Sequence, residues 1–202
     1  MKEQKFDDLL NIDTIGDQIG FNKSYHYHRY EPTPYSALQH LFSRYTLRSS
    51  DHIVDYGCGK GRLNFYIHHL FNASVTGVEM NQQFYEQAVE NRERYGKKVK
   101  GSEEKIQFHC CLAEEYKITP QDNIFYFFNP FSIQIFMKII NRILLSLEQH
   151  PRDVELVLYY ISDEYVYFLE HQTPFELKEE IELPDAHSKN PNERFLIYRL
   201  AY

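Results

Sequence analysis

The sequence predicts an α/β fold in three layers, a mostly parallel seven-stranded sheet with its last strand antiparallel, preceded by an N-terminal helical segment. Three observations carry this expectation. From residue 52 to 160 short apolar strand runs alternate with helical patterns, which argues for a parallel sheet covered on both faces. The first of these runs feeds straight into a glycine-rich turn that opens a helix, the stretch His52 to Arg62. The chain closes on two strand patterns with no helix between them, and such a pair must be antiparallel because a parallel pair needs a crossover connection. At 202 residues the chain suits one folding unit. Within it we separate an N-terminal extension and helix, 1–48, from the sheet domain, 49–202.

The elements follow in order. Residues 1–22 are acidic, weakly periodic and interrupted by Gly16 and Gly20, and read as a loose or helical extension. Residues 24–35 are crowded with rings and imidazoles. From 36 to 45 Leu38, Leu41 and Phe42 recur at helical spacing; Thr33 followed by Pro34 makes a good start, since the hydroxyl can cap and proline suits the first helical position. Strands are expected at 52–56, 74–79, 106–110, 123–128 and 155–160, with helices at 61–71, 82–95, 133–148 and 164–170. Two further strands, 175–183 and 194–200, are joined by a turn at 184–192.

Composition bounds the function. Hydrophobic residues make up 43% and charged residues 25%, a soluble globular balance. With 17 Tyr, 15 Phe and no Trp, core and cleft should be walled by rings, many with polar tips. A formal net charge of −7 disfavours nonspecific grip on a phosphate backbone. The one basic cluster, Lys97, Lys98, Lys100 and Lys105, reads as a solvated loop before a strand, whereas ligands of such sheets bind outside the strands' carboxyl ends. Cys58, Cys110 and Cys111 form no disulfide framework and lack C-x-x-C spacing, so neither disulfides nor a metal is expected. His26 and His28, set among tyrosines, do not complete a ligand set. The apolar stretch 124–147 is broken by Asn129, Pro130, Lys138 and Arg142, so no membrane span is expected. The N-terminus carries no apolar signal core, and a cytoplasmic location follows as an expectation.

The chemistry concentrates at strand ends. Asp55 closes the first strand, and Gly57, Gly59 and Gly61 alternate in the turn that follows. Glycine lets main chain approach a ligand with no Cβ between. A nicotinamide-type turn would need G-x-G-x-x-G, and its third glycine is Arg62 here. The pattern of an acid at the strand end followed by G-x-G-x-G resembles the first motif of the class I S-adenosylmethionine-dependent methyltransferases, and the likeness runs over about residues 30–200. It implies a Rossmann-like transferase of one-carbon groups with S-adenosylmethionine as cofactor. By that resemblance Asp55 takes the ligand's ammonium, and the turn from Gly57 through Cys58 and Gly59 to Gly61 packs against the methionine part. Glu79, ending the second strand, accepts the ribose hydroxyls; its alternative is to cap the helix that follows. Met80 lies against adenine, with Ala113 and Glu114 at the adenine edge.

Two further segments extend the resemblance. Phe127-Phe128-Asn129-Pro130-Phe131 is similar to the Asn-Pro-Pro-Tyr or Asn-Pro-Pro-Phe motif of amino-methylating enzymes, one proline short. That implies an acceptor amine oriented by Asn129, which also contacts the cofactor, with Pro130 and Phe131 on the substrate side. The alternative is a strand-ending turn with Asn and Pro chosen for backbone reasons. Glu31-Pro32-Thr33-Pro34-Tyr35 resembles a lid that precedes the first strand in small bacterial methyltransferases, which implies Tyr30, Thr33 and Tyr35 closing over the methionine end. The acceptor expected is an amine of a protein or small molecule. A non-catalytic cofactor-binding module or partner subunit is the alternative. Adenine of RNA or DNA ranks third, because the charge balance and the missing proline both count against it.

Overall fold

The computed structural model describes residues 2–16, 31–184 and 186–201. Seven strands, β1 (His52–Tyr56), β2 (Ser74–Glu79), β3 (Ile106–Cys110), β4 (Ile124–Phe128), β5 (Val154–Tyr159), β6 (Glu176–Glu182) and β7 (Arg194–Leu200), form one sheet in the order β3-β2-β1-β4-β5-β7-β6. The first five run parallel, and β7 lies antiparallel between β5 and β6. The helices are α1 (Lys2–Leu10), α2 (Tyr35–Arg44), α3 (Arg62–Phe71), α4 (Gln82–Gly96), α5 (Ser102–Lys105), α6 (Ile133–Gln149) and α7 (Asp163–Gln172). The extension therefore begins with a helix, and the basic loop contains the short α5.

Successive strand residues point to opposite faces, and this divides the core in two. On one face Leu10, Leu38, Leu41 and Phe65 from α1, α2 and α3 pack with Val75, Tyr126 and Ile197. On the other, Ile139, Ile143 and Leu147 of α6 cover Phe125, Phe127, Leu156 and Tyr198. Spacing of three or four residues along α6 supplies its buried stripe.

Sheet order reverses at β1, which has β2 on one side and β4 on the other. Such a reversal leaves a crevice outside the strands' carboxyl ends. Residues 55–61, 79–80 and 128–130 meet there.

The N-terminal helix closes onto this crevice's flank through a buried polar network. Asp7, fully buried, accepts from Thr14 N at 2.6 Å and from the Tyr35 hydroxyl at 2.7 Å. Arg62, 5% exposed, donates from Nε to Thr14 Oγ1 at 2.8 Å, from Nη1 to the Thr33 carbonyl at 3.3 Å, and pairs with Glu3; its guanidinium also lies over the Tyr35 ring, 4.6 Å from the centroid. The start of α2 differs from the sequence expectation. Pro34 is the N-cap residue, with no side-chain cap. The Tyr35 N–H is met instead by Glu3 Oε1 at 3.2 Å, and the Thr33 hydroxyl is engaged with Tyr126 Oη at 2.8 Å. A carboxylate of α1 thus does the work expected of the Thr33 hydroxyl, as the positive end of a helix favours.

Candidate functional site

The turn after β1 is folded back by its own main chain: Gly57 N and Cys58 N donate to the Val78 carbonyl at 2.8 and 3.2 Å, and Gly61 N donates to the Cys58 carbonyl at 2.9 Å. Gly61 is the N-cap residue of α3, with φ +84. A Cβ there would stand 2.7 Å from the Phe108 ring and 2.9 Å from Phe65, so both backbone and space demand glycine. A Cβ at Gly57 would meet Pro130 at 3.0 Å, which shows how closely the end of β4 presses on the turn.

Two carboxyls bracket this turn. Asp55 is 4% exposed, and burial first, then Glu79, push its carboxyl up to about 8. The Asn64 amide of α3, oriented by the groups around it, donates to Asp55 Oδ2 at 3.0 Å and accepts from Gly77 N at 3.1 Å. Glu79 accepts from Gly59 N at 2.9 Å through one oxygen and from Asn81 N at 2.7 Å through the other. Burial raises its carboxyl, and the backbone donors from Asn81, Gly59 and Met80 pull it back. It therefore fixes the turn to the start of α4. Each carboxylate oxygen retains a further lone pair for a ligand donor.

The other expected site residues divide into those at the crevice and those turned from it. Met80 is partly exposed beside Glu79 at 38%. Ala113 is buried, and Glu114 is half-buried in the 3-10 turn Ala113–Glu115 that follows β3. Cys58 is buried, its sulfur turned toward β2, where a Cβ on Gly77 would meet it at 2.6 Å. Asn129 follows β4 in a left-handed conformation, φ 37. Thr33, Asp55, Gly57, Tyr126 and Phe128 line a cavity of about 30 Å³ beneath residues 31–33, room for about two waters. A larger ligand at this point requires 31–33 to move.

Two expectations change. Phe131 does not face an acceptor: it is 3% exposed within the α6 core, its carbonyl accepting from the Tyr165 hydroxyl at 2.8 Å. The ring at the end of β4 that lines the cavity is Phe128. Tyr35 is fully buried and bonded to Asp7, so it supports the lid segment from behind. Tyr30, with His26 and His28, lies outside the described residues. Sequence reading missed Asn64 and Gly77 as the groups that hold Asp55 in place. The signals were a glycine inside a strand pattern and a polar residue, Asn64, on the buried face of α3. Among the described residues no group of three or more His, Cys, Asp or Glu could hold a metal ion, and no helix is long and apolar enough to cross a membrane.

Such a sheet, with an acid at the end of β1, a glycine turn and an acid ending β2, is of the α/β class whose members bind ligands at the switch point. The chain belongs to a methyltransferase family: the family model described as "Methyltransferase domain" matches residues 35–158, more than half its length. No curated protein sequence matches it. Among solved structures, an RNA methyltransferase from Salinibacter ruber in complex with S-adenosyl-L-homocysteine is similar at 15% identity and TM-score 0.58, over 84% of this chain and 92% of that one. A human methyltransferase 10 domain containing protein is similar at 13% identity and TM-score 0.59, over 85% of each chain. Phosphoethanolamine N-methyltransferase 1 from Haemonchus contortus is similar at 12% identity and TM-score 0.61, over 82% of this chain and 42% of that one. At these identities the likeness is one of fold.

Proposed function

We propose that the protein is an S-adenosylmethionine-dependent methyltransferase acting on an amine. The observation that carries the reading is the pair of buried carboxyls, Asp55 and Glu79, on either side of a glycine turn whose exposed member, Gly57, has no side chain between its main chain and a ligand. No cation among the described residues lowers the Asp55 carboxyl, which burial holds up to about 8. An ammonium beside it would restore the ionised form, as an opposite charge within about 4–6 Å does. Glu79, already ordered by two backbone donors, is ready to accept hydroxyls, each such bond to a charged acceptor being worth ~1.5–3 kcal/mol. Met80 offers an apolar surface beside it.

When bound, the cofactor supplies a methyl group made electrophilic by positive sulfur. The chain's contribution is alignment and exclusion of water. Asn129, held left-handed at the end of β4, is our choice to accept a hydrogen bond from the acceptor's nitrogen and turn its lone pair inward. Pro130, pressed on Gly57, fixes that turn relative to the cofactor's cradle. Alignment of this kind can lower a barrier by ~7–11 kcal/mol. Residues 31–33, tied down by Tyr126 and Arg62, cover the cradle. The acidic surface and the single missing proline favour a protein or small-molecule amine over a nucleic-acid base.

The test is transfer of labelled methyl from S-adenosylmethionine to fractionated cell extract. Label in a protein or small-molecule fraction, lost in Asn129→Ala while cofactor binding persists, is the expected result. Label confined to RNA would overturn the acceptor class, and cofactor binding without transfer to any fraction would favour the passive module.

A further inference from the structure

Beyond the cofactor cradle, the carboxyl ends of β4 and β5 carry a cluster of rings that the reading above does not use. Phe128 and Tyr159 are register partners on adjacent strands, with ring centroids 4.7 Å apart at 44°. Tyr160, the next residue, stands 6.3 Å from Phe128 at 76° and 6.1 Å from Tyr159 at 65°. The three rings are therefore mutually tilted, and none of these pairs is a parallel stack. Tyr160 reaches this position because its backbone is left-handed, φ 55, and its hydroxyl accepts from Asn190 Nδ2 at 2.6 Å. A non-glycine residue in that region is held there by its surroundings. Phe128 and Tyr160 are half-buried, while Tyr159 is a buried floor.

Charge converges on the same rings. The Tyr159 hydroxyl donates to Glu193 Oε2 at 2.6 Å, and the exposed Glu31 acts on that hydroxyl from the lid side. Glu31 also lines the small cavity with Phe128. Among the described residues neither glutamate takes part in an ion pair. Ring faces and carboxylates both attract cations, and a cation within about 6 Å of ring centroids gains most when it is desolvated.

We infer that Phe128, Tyr159 and Tyr160, with Glu31 and Glu193, form a binding site for a positively charged nitrogen group carried by the acceptor. It rests on the methyltransferase reading for what the bound molecule is, though not for its charge. The acceptor class narrows accordingly to compounds or side chains bearing an ammonium in addition to the nitrogen presented to Asn129, such as a diamine or a short basic peptide. Anionic acceptors are rejected by the same two carboxylates.

The test uses the 202-residue chain and tetramethylammonium chloride, with neopentyl alcohol as a neutral, soluble analogue of similar shape, followed by saturation-transfer NMR of the probe's methyl protons. The expected result is saturable binding of the cation and not of the alcohol. Phe128→Leu and Tyr160→Leu should each weaken it by roughly threefold or more, and so, to a smaller extent, should Glu31→Gln. That last change is on an exposed side chain and leaves the test standing if a ring variant fails to fold. Binding should persist with S-adenosylhomocysteine at saturation. Competition between the two would overturn the inference, because the rings would then belong to the cofactor's own site. No cation binding, or equal binding of the alcohol, overturns it as well. S-adenosylhomocysteine titrated alone separates the two readings: its failure to bind with cation binding intact rejects the cofactor, and the reverse rejects only the cation site.

Discussion

Asp55 lies beneath the glycine turn with its carboxyl pushed from an ordinary 3.8 up to about 8, chiefly by burial. The folded state therefore holds the proton more tightly than the unfolded chain, and the stability this lends is full below about pH 4 and is lost as pH rises toward 8. Asp55→Asn keeps the shape, and its side-chain oxygen can still accept from Asn64, so the ligand-free variant should lose less stability between pH 5 and 8 than the parent does. Thermal unfolding across that range checks it. The same variant should bind S-adenosylmethionine far more weakly, since the charge available to an ammonium has gone; stability and binding are expected to move in opposite directions. Gly61→Ala makes a different prediction at the same scale. Positive φ and two rings within 3 Å of the added methyl leave no relaxed arrangement, and a loss of ~1–3 kcal/mol in denaturant unfolding is expected. A neutral outcome would mean that Phe65 and Phe108 yield easily.

At the scale of elements, the sheet was legible and the lid was only partly so. The strands and main helices announce themselves by apolar runs, glycine turns and helical spacing, and β1 and β2 lie where the sequence puts them. A buried polar network has no such periodic mark. Nothing in Lys2–Leu10 alone says that Glu3 would meet both Arg62 and the Tyr35 N–H, or that Asp7 would collect Thr14 and Tyr35. Those contacts join residues far apart in the chain, and they displaced two local expectations, the Thr33 cap and the cradle-facing Tyr35. The network predicts that α1 is held by Arg62. Arg62→Met, removing the guanidinium, leaves buried Asp7, Thr14 and the Thr33 carbonyl short of donors or charge balance. We expect a loss of ~3 kcal/mol or more together with faster hydrogen exchange in α1 and α2. Exchange unchanged in both helices would show that apolar packing alone retains them.

For the whole molecule, the switch point between β1 and β4 gathers at one edge the residues that separate segments contribute, from the glycine turn to Asn129. The candidate site was readable wherever it depends on strand ends, because topology sends those to one edge. Phe131 was misread because a motif fixes residue order and not the direction of a ring; here Phe131 lies in the α6 core and Phe128 is at the cavity. The net charge of −7 belongs to this scale too. It predicts weak association with RNA that falls further as salt rises, and filter binding to a mixed tRNA pool at two ionic strengths checks it; tight, salt-resistant binding would bring the nucleic-acid acceptor forward.

The most direct test of the cofactor cradle is calorimetric titration of the protein with S-adenosylmethionine and S-adenosylhomocysteine, run beside Glu79→Ala. We predict one saturable site for each ligand in the parent protein and its loss in the variant. Absence of binding to both, or binding that Glu79→Ala leaves intact, would contradict the assignment of the carboxyl-bracketed glycine turn as the cofactor site.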